Sequence, residues 1–279
     1  MSTDMQIAQK GRKRRQPHSR AKVLLGAWTV LFVAFLLLPM VVVVVVSFSS
    51  ASFIAFPMPG LSLRWYERAF SYGPFMSSLA TSIELALAAT LVGTVVGIPA
   101  SIAVARSRRR LAVIVANFLL TPLSMPGIVL GFALLYFLAT LKIQNGFMSL
   151  LIAHSIVAIP YISRTVISVY RSIPVTHEEA GAVLGASRFQ TLRHVILPQI
   201  MPGVFAGGMF AVLISFDNLP LSYFFGTAHT STLPVVMLSY MENQFDPSIA
   251  AISTIQMLIA IVTLFAIHRA YGIERLTSV

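Results

Sequence analysis

The sequence predicts an all-α, polytopic membrane protein with six transmembrane helices, and three observations carry that prediction. Of 279 residues, 57% are hydrophobic and only 10% are charged. An ordinary soluble domain carries about 25% charged residues, so a water-facing surface cannot be built from this composition. Second, six segments are long and apolar enough for a bilayer core, which takes about 20 residues of helix. Third, the positive charges alternate between the connections, 17 of the 20 Lys and Arg falling on one side of that six-span arrangement.

The first span runs about Val23 to Phe48 and contains the six valines 41–46. It is longer than a signal peptide's apolar stretch and no small-residue cleavage site follows it, so it reads as a retained span. The others run about Phe75 to Ala105, Leu111 to Leu141, Phe147 to Val169, Val195 to Phe216 and Ile249 to Ile267. The expected organisation is a basic cytoplasmic tail 1–22, a first helix 23–48, an external loop 49–74, a five-helix core 75–269 and a cytoplasmic tail 270–279. Arg64, Arg68 and Lys142 alone fall on the outer side. Both termini are therefore expected in the cytoplasm. The net charge of +11 is explained by topogenesis and contact with anionic lipid, and nucleic acid is not an expected partner. Cysteine is absent, which excludes disulfides and thiolate chemistry.

Two connections are long. In the external stretch 49–74, Leu63-Arg64-Trp65-Tyr66-Glu67-Arg68-Ala69-Phe70 suits a short interfacial helix that anchors the chain. The cytoplasmic loop 172–198 is long enough for two short helices. Thr176 and Glu179 have capping-box spacing, Gly185 suits a left-handed helix end, and Ser187 can cap a second helix. Ala180, Val183 and Leu184 then share one face at i, i+3, i+4 spacing. Pro198 stands where the chain returns to the membrane. The expectation is helix, glycine turn, helix, with a small apolar knob shaped for a groove on another protein.

The run Glu179-Ala180, Gly185 and Leu197-Pro198 resembles the "EAA" loop of permease subunits of bacterial ATP-binding cassette importers. Two positions depart from the usual pattern: Gly181 replaces the second alanine and Val195 an isoleucine. The stretches 121–131, Ser215-Phe216-Asp217-Asn218 and Thr232-Leu233-Pro234-Val235 resemble the spermidine/putrescine branch. The resemblance implies a type I importer permease in the bacterial inner membrane. It implies a second, related permease chain, two cytoplasmic ATPase subunits and an external solute-binding protein as partners. It makes Glu179, Ala180, Gly181, Gly185, Leu197 and Pro198 the ATPase-coupling residues. A polyamine is the expected substrate, with an opine, amino acid or small peptide as the alternative.

The chain itself is not expected to be an enzyme or to hold a cofactor. None of its four lysines precedes Ser or Thr, so a Walker A loop is impossible, and ATP and Mg belong to partner subunits. His177-Glu178-Glu179 is not a His-Glu-x-x-His zinc motif and no Gly-x-Ser-x-Gly occurs. His154, the one histidine within a span, reads as an interhelical hydrogen-bonding residue. A secondary transporter would account for the spans and for helix breaks at Pro122, Pro126 and Pro160, but not for the cytoplasmic loop. Among only nine acids, Glu84 stands about nine residues into its span, roughly 14 Å at 1.5 Å per residue. An intramembrane charge there is expensive and turns to a cavity or a partner. Glu84, Asp217 and Asn218 are accordingly candidates for the substrate pathway, with a Glu84–Arg164 ion pair as the competing structural role.

Overall fold

In the computed structural model, residues 20–54, 57–107, 109–143, 146–227 and 230–271 are described. The expected tail segments before Arg20 and after Tyr271 lie outside them, as do Arg108 and His229. The chain divides into two units, Met1–Val45 and Val46–Val279. In the first, α1 (Arg20–Ser47, its last two residues belonging to the second unit) is a single helix that runs through Pro39. Its 28 residues extend roughly 42 Å, enough to cross a hydrocarbon core. It has no polar face, and its one mid-span hydroxyl, Thr29, is satisfied by the Leu25 carbonyl one turn back at 2.8 Å.

The second unit is built on α3 (Gly73–Ala105), α6 (Gly146–Ser172) and α9 (Leu197–Phe216). Their contacts give the chain direction. Arg171 Nε donates to the Ala105 carbonyl at 3.0 Å, and Leu85 shares a buried cluster with Leu150 and Ala153, so α3 and α6 run parallel. Ser215 near the end of α9 bonds His154 near the start of α6, so α9 runs antiparallel to α6. The chain between α3 and α6 therefore crosses once. That crossing is a broken span: α4 (Arg110–Leu120) and a 3-10 turn, then α5 (Gly127–Thr140), bent by 112°. The third span, about Leu111 to Leu141, is thus interrupted at Pro122 and Pro126, where the sequence offers helix breaks. Pro122 and Pro126 each lack an N–H, and Met125 before Pro126 is extended at φ −93°, ψ 137°. Pro160 behaves oppositely, since α6 runs through it unbroken from Gly146 to Ser172.

What brings the three central helices together is small residues. On α3 Gly93 and Gly97, and on α9 Gly203 and Gly207, stand four apart and face α6. A Cβ on Gly93 would lie 3.0 Å from Ala158 Cβ, and one on Gly207 2.7 Å from the Ile162 Cα. The backbones meet at a separation that no side chain fits, and Ile162 is fully buried between them.

α12 (Ser248–Tyr271) places Ala251 and Ile252 in a cluster with Phe75, Leu79 and Phe216, at the end of the bundle opposite Ala105 and Arg171. α10 (Leu219–Phe225) and α11 (Leu233–Asn243) connect α9 to α12 on that same far end. The helix expected in the external stretch is α2 (Arg64–Ser71). Of its aromatics, Phe70 is exposed, while Trp65 is buried in the cluster with Phe75 and Tyr240, its indole N–H donating to the Ser49 carbonyl at 2.8 Å. Arg68 on α2 pairs with Asp246 at 3.4 Å. Asp246 also accepts from the Tyr240 hydroxyl at 2.9 Å and from the Ser248 N–H at 2.9 Å. It caps α12 and clasps α2 to it. Burial, before any neighbouring charge, raises the Tyr240 pKa, which keeps the phenol a donor.

The glycine seam makes a contrast between adjacent residues. Gly207→Ala should lower the stability of the purified protein by about 1–3 kcal/mol through overpacking, whereas at Gly208 a Cβ meets only Thr90 Cγ2, at 3.7 Å, and Gly208→Ala should be neutral or slightly stabilising. Thermal unfolding in detergent checks the pair, and equal behaviour of the two variants contradicts the seam.

Candidate functional site

The loop after α6 forms a compact helical hairpin. α7 (Thr176–Val183) ends at Gly185, which has φ +80°. Ala186 N–H donates to the Gly181 carbonyl at 2.9 Å and Gly185 N–H to the Ala182 carbonyl at 3.0 Å, the paired closing bonds of a Schellman turn. α8 (Arg188–Thr191) follows with a complete capping box. Gln190 N–H donates to Ser187 Oγ at 3.3 Å, and Ser187 N–H to Gln190 Oε1 at 2.7 Å.

The capping box expected at Thr176 and Glu179 does not form. Val175 already has helical backbone angles and its carbonyl accepts from the Glu178 and Glu179 N–H groups. The helix therefore starts earlier, at the proline-defined turn, and Thr176 lies inside it. The second helix is not a separate element either. Residues Leu192–Ile196 form a π turn that joins α8 to α9, making one span over Arg188–Phe216. Pro198, which has no N–H to continue an α-helical register, follows at the start of α9 beside Leu197.

Glu179, Ala180, Val183, Leu184 and Phe189 are exposed, Val183 and Leu184 at 87% and 86%. Gly181 has a packing reason: a Cβ there would lie 3.0 Å from Thr191 Oγ1, so the close approach of α8 to α7 favours glycine. Glu179, Ala180, Gly181 and Gly185 thus gather in one hairpin, with Leu197 and Pro198 at its root.

Three residues outside the expected coupling set fasten this hairpin to α3, and a fourth ties the end of α6 to α3. Arg106, just past the end of α3, pairs through Nη1 with Glu178 in the first turn of α7. Its Nη2 donates to the Ile173 carbonyl and to the Tyr170 carbonyl, the latter at 3.2 Å. Its guanidinium lies 4.5 Å from the Tyr170 ring centroid, and the Tyr170 hydroxyl donates to Glu178 at 3.2 Å. The fourth, Arg171, makes the bond to Ala105 given above. The sequence signal was present but local: two successive acids at the start of a helix point about 100° apart, so one can face out and the other in.

The pathway candidates separate. Asp217 and Asn218 line a cavity of about 260 Å³ with Pro122, Met125 and Tyr161, at the break of the bent span. Asp217 accepts a hydrogen bond from Gln256 Nε2 at 3.1 Å. Asn218 has a second task, its Oδ1 accepting from the Leu221 N–H at 3.1 Å to cap α10. Glu84 is not in this cavity. It is exposed on α3, and among the described residues no ion pair joins it to Arg164. The structural pair with Arg164 is thereby corrected. His154 is buried, its ring nitrogens bonded to Ser215 Oγ at 2.8 Å and Ser222 Oγ at 3.1 Å, which joins α6, α9 and α10. Among the described residues no three His, Asp or Glu side chains gather as metal ligands do.

A helical bundle of long apolar spans with one broken span, a cavity at the break and an exposed helical hairpin between two spans defines a multi-pass membrane permease. The chain belongs to the family of binding-protein-dependent transport system inner membrane components, which matches residues 93–272, well over half of it. It is similar to the spermidine/putrescine transport system permease protein PotC of Escherichia coli K12, with 29% identity over 245 residues, 88% of this chain and 92% of that protein. The putrescine transport system permease protein PotI of the same organism is 28% identical over 228 residues, 79% of this chain and 81% of that protein. The fold is that of a bacterial ABC transporter involved in the import of the acidic polysaccharide alginate, with a TM-score of 0.70 at 16% identity, covering 92% of this chain and 98% of that one. The protein is accordingly a multi-pass inner membrane subunit of an ABC importer, and ATP hydrolysis is the work of other subunits.

A Cβ at Gly185 would meet nothing within 4 Å in this chain, so within the hairpin a substitution there acts through backbone conformation. Gly185→Val should cost about 1–2 kcal/mol for a left-handed residue with a Cβ and weaken assembly with the ATPase subunits. Gly185→Asn, which enters that region more readily, should retain the complex. Co-purification stoichiometry reads the difference, and equal retention by both variants would count against the turn.

Proposed function

We propose that this permease conducts a small organic cation, of the polyamine class, from an external binding protein to the cytoplasm. Asp217 carries the reading: it is a carboxylate in a cavity at the break of a span, beside Asn218 and Tyr161. Broken spans free backbone carbonyls that also favour cations, and a cation in a low-dielectric passage needs compensating negative charge. The names of the similar proteins, which carry spermidine and putrescine, support the same class. Glu84, on a face of α3 with Leu87 and Leu91 exposed, is the second pathway acid. Its charge is costly against lipid, and a related partner permease across the pathway accounts for it.

The hairpin end of the bundle is the cytoplasmic one, since Arg106, Arg109, Arg110, Arg171, Arg188 and Arg193 collect there, and both termini share that side. Two ATPase subunits, one per permease chain, bind ATP and Mg and dock on the hairpins. Glu179, Ala180, Gly181 and Gly185 form the contact, and Leu197 and Pro198 fix the hairpin to α9. Closure of the ATPases moves the hairpin and turns the spans between outward-open and inward-open states.

Proteoliposomes holding the complete importer test both halves. Asp217→Asn should reduce spermidine uptake about tenfold, the effect of losing roughly 1.5 kcal/mol from one charge-assisted contact, while expression stays normal. Undiminished uptake by that variant and by Glu84→Gln would refute the cation pathway. Glu179→Ala should leave the complex assembled and ATP hydrolysis running while uptake per ATP falls, and full uptake in that variant would sink the coupling role.

A further inference from the structure

The hairpin is joined by the chain to α6 on one side and to α9 on the other. α3 ends far from it in sequence, 72 residues separating Arg106 from Glu178, yet α3 is the helix that bears Glu84. We infer that Arg106 is the positioning residue that makes α3 move with the hairpin, by locking α3, the end of α6 and the first turn of α7 into one body. The inference rests on the hairpin being the ATPase docking site and adds how its motion reaches a helix it does not continue into.

The chemistry of the contact suits a lock rather than a surface ion pair. The side chains of Arg106 and Glu178 are only 21% and 32% exposed, so solvent screens the pair less than it would two free surface charges. One guanidinium serves three elements at once. Nη1 holds Glu178 of α7, and Nη2 takes the Tyr170 and Ile173 carbonyls at the end of α6. Its planar face lies against Tyr170. The Tyr170 hydroxyl then closes the ring by donating to the same Glu178 oxygen. In return α6 holds the end of α3, through Arg171 and the Ala105 carbonyl. A planar fork that stacks and donates in two directions is a task that arginine performs and lysine does not. The two acids of α7 divide the labour: Glu179 is exposed for a partner, and Glu178 is turned back to α3.

The test uses the complete importer in proteoliposomes, with spermidine as the probe, and reads assembly, thermal stability, ATP hydrolysis and uptake per ATP. Arg106→Gln and Glu178→Gln should each assemble and hydrolyse ATP while uptake per ATP falls about tenfold, the scale of one lost charge-assisted bond. The double variant should be no worse than either single, as expected for one shared interaction. Arg106→Lys should fall between wild type and Arg106→Gln. Additive losses in the double variant, or unchanged uptake per ATP in the singles, overturn the lock. So does a parallel fall of assembly and stability with no change in that ratio, which is the signature of a purely structural contact. Leu184→Asp separates this inference from the docking reading, because it alters the exposed knob and leaves Arg106 and Glu178 untouched. Release of the ATPase subunits by that variant upholds the docking surface, so that a failure of the Arg106 and Glu178 variants then strikes the lock alone. Retention of the subunits overturns the docking surface and the lock with it.

Discussion

The rest of the structure depends on the backbone contact of α3 and α9 with α6. Lipid offers no hydrophobic gain for bringing apolar helices together, so association must come from packing and from satisfied polar groups. Gly93 and Gly97 on one helix and Gly203 and Gly207 on another let α6 approach until no Cβ would fit at the closest points. Ile162 fills the place where the three meet. The polar groups at this depth serve the same end. His154 spans Ser215 and Ser222, and the Ser101 hydroxyl of α3 reaches the Ser163 carbonyl of α6 at 3.5 Å.

Around that centre, proline decides where the chain is allowed to break. Pro39, Pro99, Pro160 and Pro202 lie inside helices that continue past them, whereas Pro122 and Pro126 produce a 112° bend. The difference lies in the backbone before the proline, since Pro198 and Pro202 are also four residues apart in an unbroken helix: Met125 before Pro126 is extended, whereas Ile159 before Pro160 and Met201 before Pro202 stay helical. The break opens the cavity that Asp217 and Asn218 line from the end of α9. Gly127 and Gly131 then allow α5 to lie close on Pro220 and Phe224 of α10, which closes the opposite wall.

The hairpin between α6 and α9 combines a rigid frame with an apolar exterior. A Schellman turn at Gly185 and a capping box at Ser187 satisfy its backbone locally. Its outward face carries Ala180, Val183 and Leu184, and its inner face meets Arg106. The bonds that close its turn and cap its second helix are all made within the hairpin itself.

The sequence by itself determined the apolar spans, the hairpin with Gly185 and Ser187 at its turn, and the interhelical duty of His154. Those follow from local chemistry: hydropathy over 20 residues, a left-handed glycine, a serine three residues before Gln190. It also pointed to Asp217 and Asn218, because an acid at a span end is rare in a chain with nine. Only the tertiary structure decided that the third span bends by 112° while α6 runs unbroken through Pro160, that Trp65 is core, and that Glu84 stands apart from Asp217 and from Arg164. It alone placed Arg106 against Glu178, across 72 residues of chain. The reason is physical. Propensity and capping act within a turn or two, as the failure at Thr176 shows even there, when Val175 and Pro174 begin the helix first. Which arginine meets which glutamate is set by how two parallel helices align along a glycine seam, and that alignment depends on both helices at once.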